Sequence, residues 1–138
     1  MTPNEYQKLA MVTERTPPFI APVREEIDGG IFADQQALVK ARLLHGSIGL
    51  CTEVGELQDA LKKHLIYGKP LDLVNVGEEL GDILWYLALV ADAAGTTLEA
   101  AMERNIAKLK ARYPDGFSQH AALNRDLETE RSVLENKG

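Results

Sequence analysis

The chain has 138 residues, 45% hydrophobic and 26% charged, with 15 Lys and Arg against 21 Asp and Glu for a formal charge of −6. That length suits one soluble domain with its own core, and the acidic balance argues against a grip on duplex DNA or RNA, which comes mainly from Lys and Arg on phosphates. A single cysteine, Cys51, excludes an internal disulfide, and no apolar run approaches the roughly 20 residues of a membrane span.

In chain order, the opening residues lack the basic start and apolar run of a signal peptide, so a cytoplasmic location is expected. Thr2-Pro3-Asn4-Glu5 combines a cap, a first-turn proline and a capping-box glutamate, which predicts a short helix from about Asn4 to Thr13. Thr16-Pro17-Pro18 stops it, and the stretch to Asp28-Gly29-Gly30 reads as a loop. A long helical pattern follows from Asp34 to about Ile66 and closes at Tyr67-Gly68-Lys69-Pro70.

A third helix is expected from about Leu73 to Ala94, ending at Gly95. Thr96-Thr97-Leu98-Glu99 is a second capping box, opening a helix to about Arg112, and Tyr113-Pro114-Asp115-Gly116 ends it. The charged tail from Ala121 to Glu135 reads as a peripheral helix or docked arm. Nothing alternates with period two for long enough to make a strand. The expectation is therefore all-α: a single domain over 1–138, a bundle of four to five helices, with its chemistry on about 34–112 and a C-terminal arm over about 117–138.

On the second helix Leu50, Val54, Leu57, Leu61 and Leu65 form an apolar stripe, with Glu53 and Glu56 roughly 80° and 140° to one side. On the third, Val76, Leu80, Ile83, Leu84 and Leu87 form another, with Glu79 and Asp82 at the same offsets. If the helices pack antiparallel through these stripes, four carboxylates line one crevice. Carboxylates beside an apolar stripe are ordinarily just solvated. Two pairs at matching offsets ask for more, because like charges three residues apart repel and partial burial raises that cost. A divalent cation offsets it. An all-oxygen set favours Mg²⁺, or Mn²⁺ as substitute, over zinc, and the absence of Glu-x-x-His argues against a di-iron bundle.

The pair Glu53-Val-Gly-Glu56 and Glu79-Leu-Gly-Asp82, with 22 residues intervening, resembles the ExxE…ExxD signature of the all-α nucleoside triphosphate pyrophosphohydrolases, the MazG-like superfamily. The surrounding runs Lys62-Lys-His, Tyr67-Gly-Lys-Pro, Asp82-Ile-Leu-Trp-Tyr-Leu and Asn105-Ile-Ala-Lys-Leu-Lys-Ala-Arg-Tyr-Pro are similar to MazG-like proteins of bacteria and phages. The resemblance implies Mg²⁺-dependent hydrolysis of a (deoxy)nucleoside triphosphate to the monophosphate and pyrophosphate, serving nucleotide-pool control or sanitation. It implies Glu53, Glu56, Glu79 and Asp82 as metal ligands and catalytic groups, Asn105, Lys108 and Arg112 near the phosphates, and a homodimer or homotetramer. Many members carry a further glutamate where this chain has Thr52, so the base must come from elsewhere. Phosphoribosyl-ATP pyrophosphohydrolase shares the same logic. A non-catalytic helical interaction module is the alternative of a different class.

Among other residues, His45 stands two turns before Glu53 and is a candidate substrate contact, while Lys63 and Lys69 could meet a triphosphate. Trp85, one turn beyond Asp82, could stack on a base, although core packing is the better reading of it and of Tyr86. Tyr6 and Gln7 are candidates for a lid, and Cys51 reads as a small core residue.

Overall fold

The computed structural model describes residues 1–15 and 31–135, with side chains from residue 35 onward in the second stretch. The loop expected between Thr16 and Gly30 lies outside the described residues. Six helices are described: α1 (Pro3–Val12), α2 (Ile31–Leu65), α3 (Leu73–Ala93), α4 (Leu98–Arg112), α5 (Gln119–Leu123) and α6 (Leu127–Glu135). No strand occurs among the described residues, so the protein is all-α. The chain forms two compact units, Met1–Thr97 and Leu98–Gly138.

The helix ends follow the local chemistry. Thr2 and Glu5 close the capping box of α1: the Glu5 amide donates to Thr2 Oγ1 at 3.2 Å and the Thr2 amide to Glu5 Oε2 at 2.7 Å. Asp72 caps α3 by accepting from the amides of Val74 and Asn75 at 3.0 and 3.1 Å. Gly68 and Gly95 take positive φ of 65° and 70° just past α2 and α3, a conformation that a Cβ disfavours. The expected tail helix is broken in two. Ser118 caps α5 and Asp126 accepts from the Thr129 amide at the start of α6, so two short side-chain caps interrupt the charged stretch.

In the first unit α2 and α3 pack antiparallel. Gly46 faces Val90, Gly49 faces the Tyr86 ring, and Glu53 and Glu56 face Glu79, so contacts descend one helix as they climb the other. A Cβ on Gly49 would fall 2.0 Å from Tyr86 Cε1, and one on Gly46 would fall 2.5 Å from Val90 Cγ2. The two glycines are the notch that lets the helices approach. This corrects the expected packing. Only part of each stripe is covered: Leu50, Leu57, Val76 and Ile83 are half-buried, whereas Leu80 and Leu84 remain 49% and 46% exposed, with Val54, Leu61 and Leu87 also exposed. The notch draws the carboxylate-bearing faces together and leaves the outer members of each stripe, Leu61, Leu80, Leu84 and Leu87 among them, exposed.

The buried apolar core consists of Ala10, Ala41, Ala88, Leu89, Ala91 and Ala93. Helix α1 straps onto α3 through hydrogen bonds: Tyr6 Oη donates to the Gly81 carbonyl at 3.2 Å, and Trp85 Nε1 donates to Thr13 Oγ1 at 2.8 Å. Arg42 on α2 ties in both neighbours, donating to the Glu14 carboxylate and, at 2.6 Å, to Asp92 Oδ2. In the second unit Glu130 is 4% exposed and accepts from Arg112 at 2.7 and 2.6 Å and from Arg125 at 3.2 and 2.7 Å.

Candidate active site

The antiparallel register places one carboxylate from each of three helical positions at a common point. One oxygen each from Glu53, Glu56 and Glu79 lie within 4.8 Å of one another. An octahedral cation with oxygens at about 2.1 Å holds them roughly 3 to 4 Å apart, so small side-chain adjustments suffice for ligation. Glu79 is the buried member at 5% exposure, Glu53 is half-buried and Glu56 is open. The donor set is all oxygen, which fits a hard divalent ion.

Asp82 lies outside that trio, being exposed on α3, yet its charge reaches the group. Partial desolvation pushes the Glu53 carboxyl above its ordinary value; the Thr52 hydroxyl pulls the other way, and Glu56, Asp82 and Glu79 add like-charge repulsion. Tyr6 and Tyr86 flank the same region. Burial raises both phenols, and Asp82 raises both further, with Glu53 also acting on Tyr86. Thr52 occupies the position of the missing glutamate and offers one proton, shared between the Gly49 carbonyl at 2.8 Å and Glu53 Oε1 at 3.3 Å.

Beside the trio opens a cavity of about 590 Å³, the size of a small-molecule site. Glu56 and Glu79 line it at one end, and Lys63, Lys69 and Pro70 line it toward the α2–α3 turn, with Asp59 between. Asp59 engages Lys62 at 2.9 Å and Lys63 at 2.6 Å, which lowers its carboxyl to about 2. His64 Nδ1 meets the Lys69 carbonyl at 2.8 Å and pins the turn carrying Lys69.

The other sequence candidates sit elsewhere. His45 packs edge-on against Trp85 and Tyr86 at centroid distances of 6.3 and 5.6 Å, and its buried Nδ1 has no hydrogen-bond partner among the described residues. Trp85 spends its N–H on α1. Asn105, Lys108 and Arg112 belong to the second unit, where the Arg112 guanidinium is held by Glu130. Cys51, expected in the core, is exposed: it falls on the α2 surface beside the notch rather than within it. Sequence reasoning missed Asn75, whose Nδ2 donates to Glu79 Oε1 at 2.9 Å. The signal was available, because residues four apart share a helix face.

Comparison with known proteins adds two findings. A family model, the MazG nucleotide pyrophosphohydrolase domain, matches residues 47–117. The chain is also 33% identical over 90 residues to the "Gene 37 protein" of Mycobacterium phage L5, an alignment covering 60% of this chain and 76% of that protein. No solved structure matches.

Proposed function

Since the chain belongs to the MazG nucleotide pyrophosphohydrolase family, we propose that it hydrolyses (deoxy)nucleoside triphosphates to the monophosphate and pyrophosphate with Mg²⁺, Mn²⁺ being a possible substitute. The observation that carries this reading is the convergence of Glu53, Glu56 and Glu79, the last two of which line the cavity. These three, with Asp82 adjoining, are the residues to hold the ion, which supplies charge neutralisation for the phosphate oxygens.

The remaining work falls to the chain. Water adds to the α-phosphorus, the bond from that phosphorus to the bridging oxygen breaks, and pyrophosphate leaves. Such transfers ask for positioning and charge compensation rather than a covalent nucleophile. Lys63, paired with Asp59, and Lys69 line the same cavity as Glu56 and Glu79, which supports them as the groups that meet the departing phosphates. The proton of the attacking water passes to one of the four carboxylates, because His45 is packed against the Trp85 and Tyr86 rings, His64 meets the Lys69 carbonyl and Thr52 carries no base. Asn105, Lys108 and Arg112 remain candidates for the phosphates by family likeness.

The active assembly we propose is a homodimer or homotetramer in the cytoplasm. Val54 and Leu61 on α2 and Leu80, Leu84 and Leu87 on α3 are exposed, and all lie about 100° round from the seam on the same side of the antiparallel pair. A contiguous apolar face of this kind suits a self-complementary contact.

The test is product identification. Purified protein with Mg²⁺ and a panel of nucleoside triphosphates should yield monophosphate and pyrophosphate, and Glu79→Gln should lower turnover by roughly a hundredfold or more with helix content intact. Release of orthophosphate, or turnover of phosphoribosyl-ATP alone, replaces the substrate assignment. No product from any nucleotide leaves the interaction module as the better reading.

A further inference from the structure

Glu79 is the buried carboxylate of the trio, and a buried carboxylate has little water to fix its orientation. One turn earlier on α3, Asn75 is half-buried and directs its amide nitrogen at Glu79 Oε1, 2.9 Å away. A neutral donor on one oxygen fixes the plane of the carboxylate while leaving the other oxygen free and the net charge of the cluster unchanged. A lysine there would also orient Glu79 but would neutralise it and repel a cation.

The position of Asn75 is itself anchored. Its backbone amide donates to Asp72 Oδ1 at 3.1 Å, within the cap that starts α3. The succession from Asp72 through Asn75 to Glu79 thus fixes first the helix start, then the amide, then the carboxylate. All three line the same cavity.

We infer that Asn75 is a positioning residue that holds the Glu79 carboxylate in the orientation required to bind the divalent cation. The inference rests on the metal-binding reading above and adds a residue to it. Partners that orient a ligating carboxylate are commonly worth a factor of roughly 10 to 100 in metal affinity.

The experiment is a Mn²⁺ titration followed by electron paramagnetic resonance, on the full chain without nucleotide. Asn75→Leu keeps similar bulk, removes the amide and improves helix propensity, so helical circular dichroism should be retained. Its Mn²⁺ affinity should fall roughly 10- to 100-fold. Asn75→Gln, whose amide can still reach one turn along, should stay within about threefold of the native protein. If Asn75→Leu does not fold, Asn75→Ala supplies the same comparison. Native affinity in the folded Leu or Ala variant overturns the inference, as does an equal loss in Asn75→Gln. A native protein that binds no Mn²⁺ fails earlier, and removes the metal reading together with this one.

Discussion

Gly49 shows how a single missing side chain decides where the acids meet. The Tyr86 ring occupies the space that a Cβ would take, so Gly49→Ala forces overpacking against an aromatic ring rather than against a flexible chain end. It should destabilise by about 1–3 kcal/mol in urea denaturation. Gly55 is the internal control, because a Cβ there meets nothing within 4 Å. Gly55→Ala should instead stabilise by about 0.5–1 kcal/mol through helix propensity. Equal effects at the two positions would show that the notch does not set the helix approach. At this scale matching offsets in the sequence pointed to Glu53, Glu56, Glu79 and Asp82, and the structure brings the first three together while leaving Asp82 outside the trio. It could not show that Gly46 and Gly49 set the closest approach of the two helices while part of each leucine stripe stays exposed. Periodicity reports which residues are apolar, while contact depends on which faces can come close.

Among the elements, helix boundaries were the most legible feature, because caps are local. Thr2 with Glu5, Gly68 and Gly95 all mark ends in the structure as their chemistry predicts. Ties between distant segments were not legible: Arg42 reaches Glu14 and Asp92, and nothing in the spacing announces either partner. The same holds for Glu130, which joins α4 to α6 through Arg112 and, with Arg125, has its carboxyl lowered from 4.5 to about 2. The hydrogen bonds from Arg112 and then Arg125 are the main causes. A carboxyl whose folded value lies below its unfolded one contributes stability above the unfolded value and loses it as pH falls through the folded value. Hydrogen-exchange protection in α4 and α6 should therefore decline between about pH 4.5 and pH 2. In Glu130→Gln the protection at neutral pH should be lower than native, and the gap should close near pH 2. A gap unchanged by pH would mean that the carboxylate's charge is not what joins the two helices.

For the whole molecule, the family match over residues 47–117 and the all-α architecture agree, and the sequence had already indicated both. What a single chain could not disclose is how its surface is completed. Leu84 is 46% exposed at the middle of the apolar face, so Leu84→Glu should shift sedimentation from the assembled species to the monomer while leaving circular dichroism unchanged. Retention of the native sedimentation profile would remove this face from the interface. Among the described residues the buried apolar core of the first unit is five alanines and Leu89, while Val54, Leu61, Leu80, Leu84 and Leu87 are exposed. If the proposed assembly forms through this face, mass action applies, and the melting temperature should climb with the protein's own concentration. In the assembly proposed above, abundance would then set how much of the protein is paired at any moment.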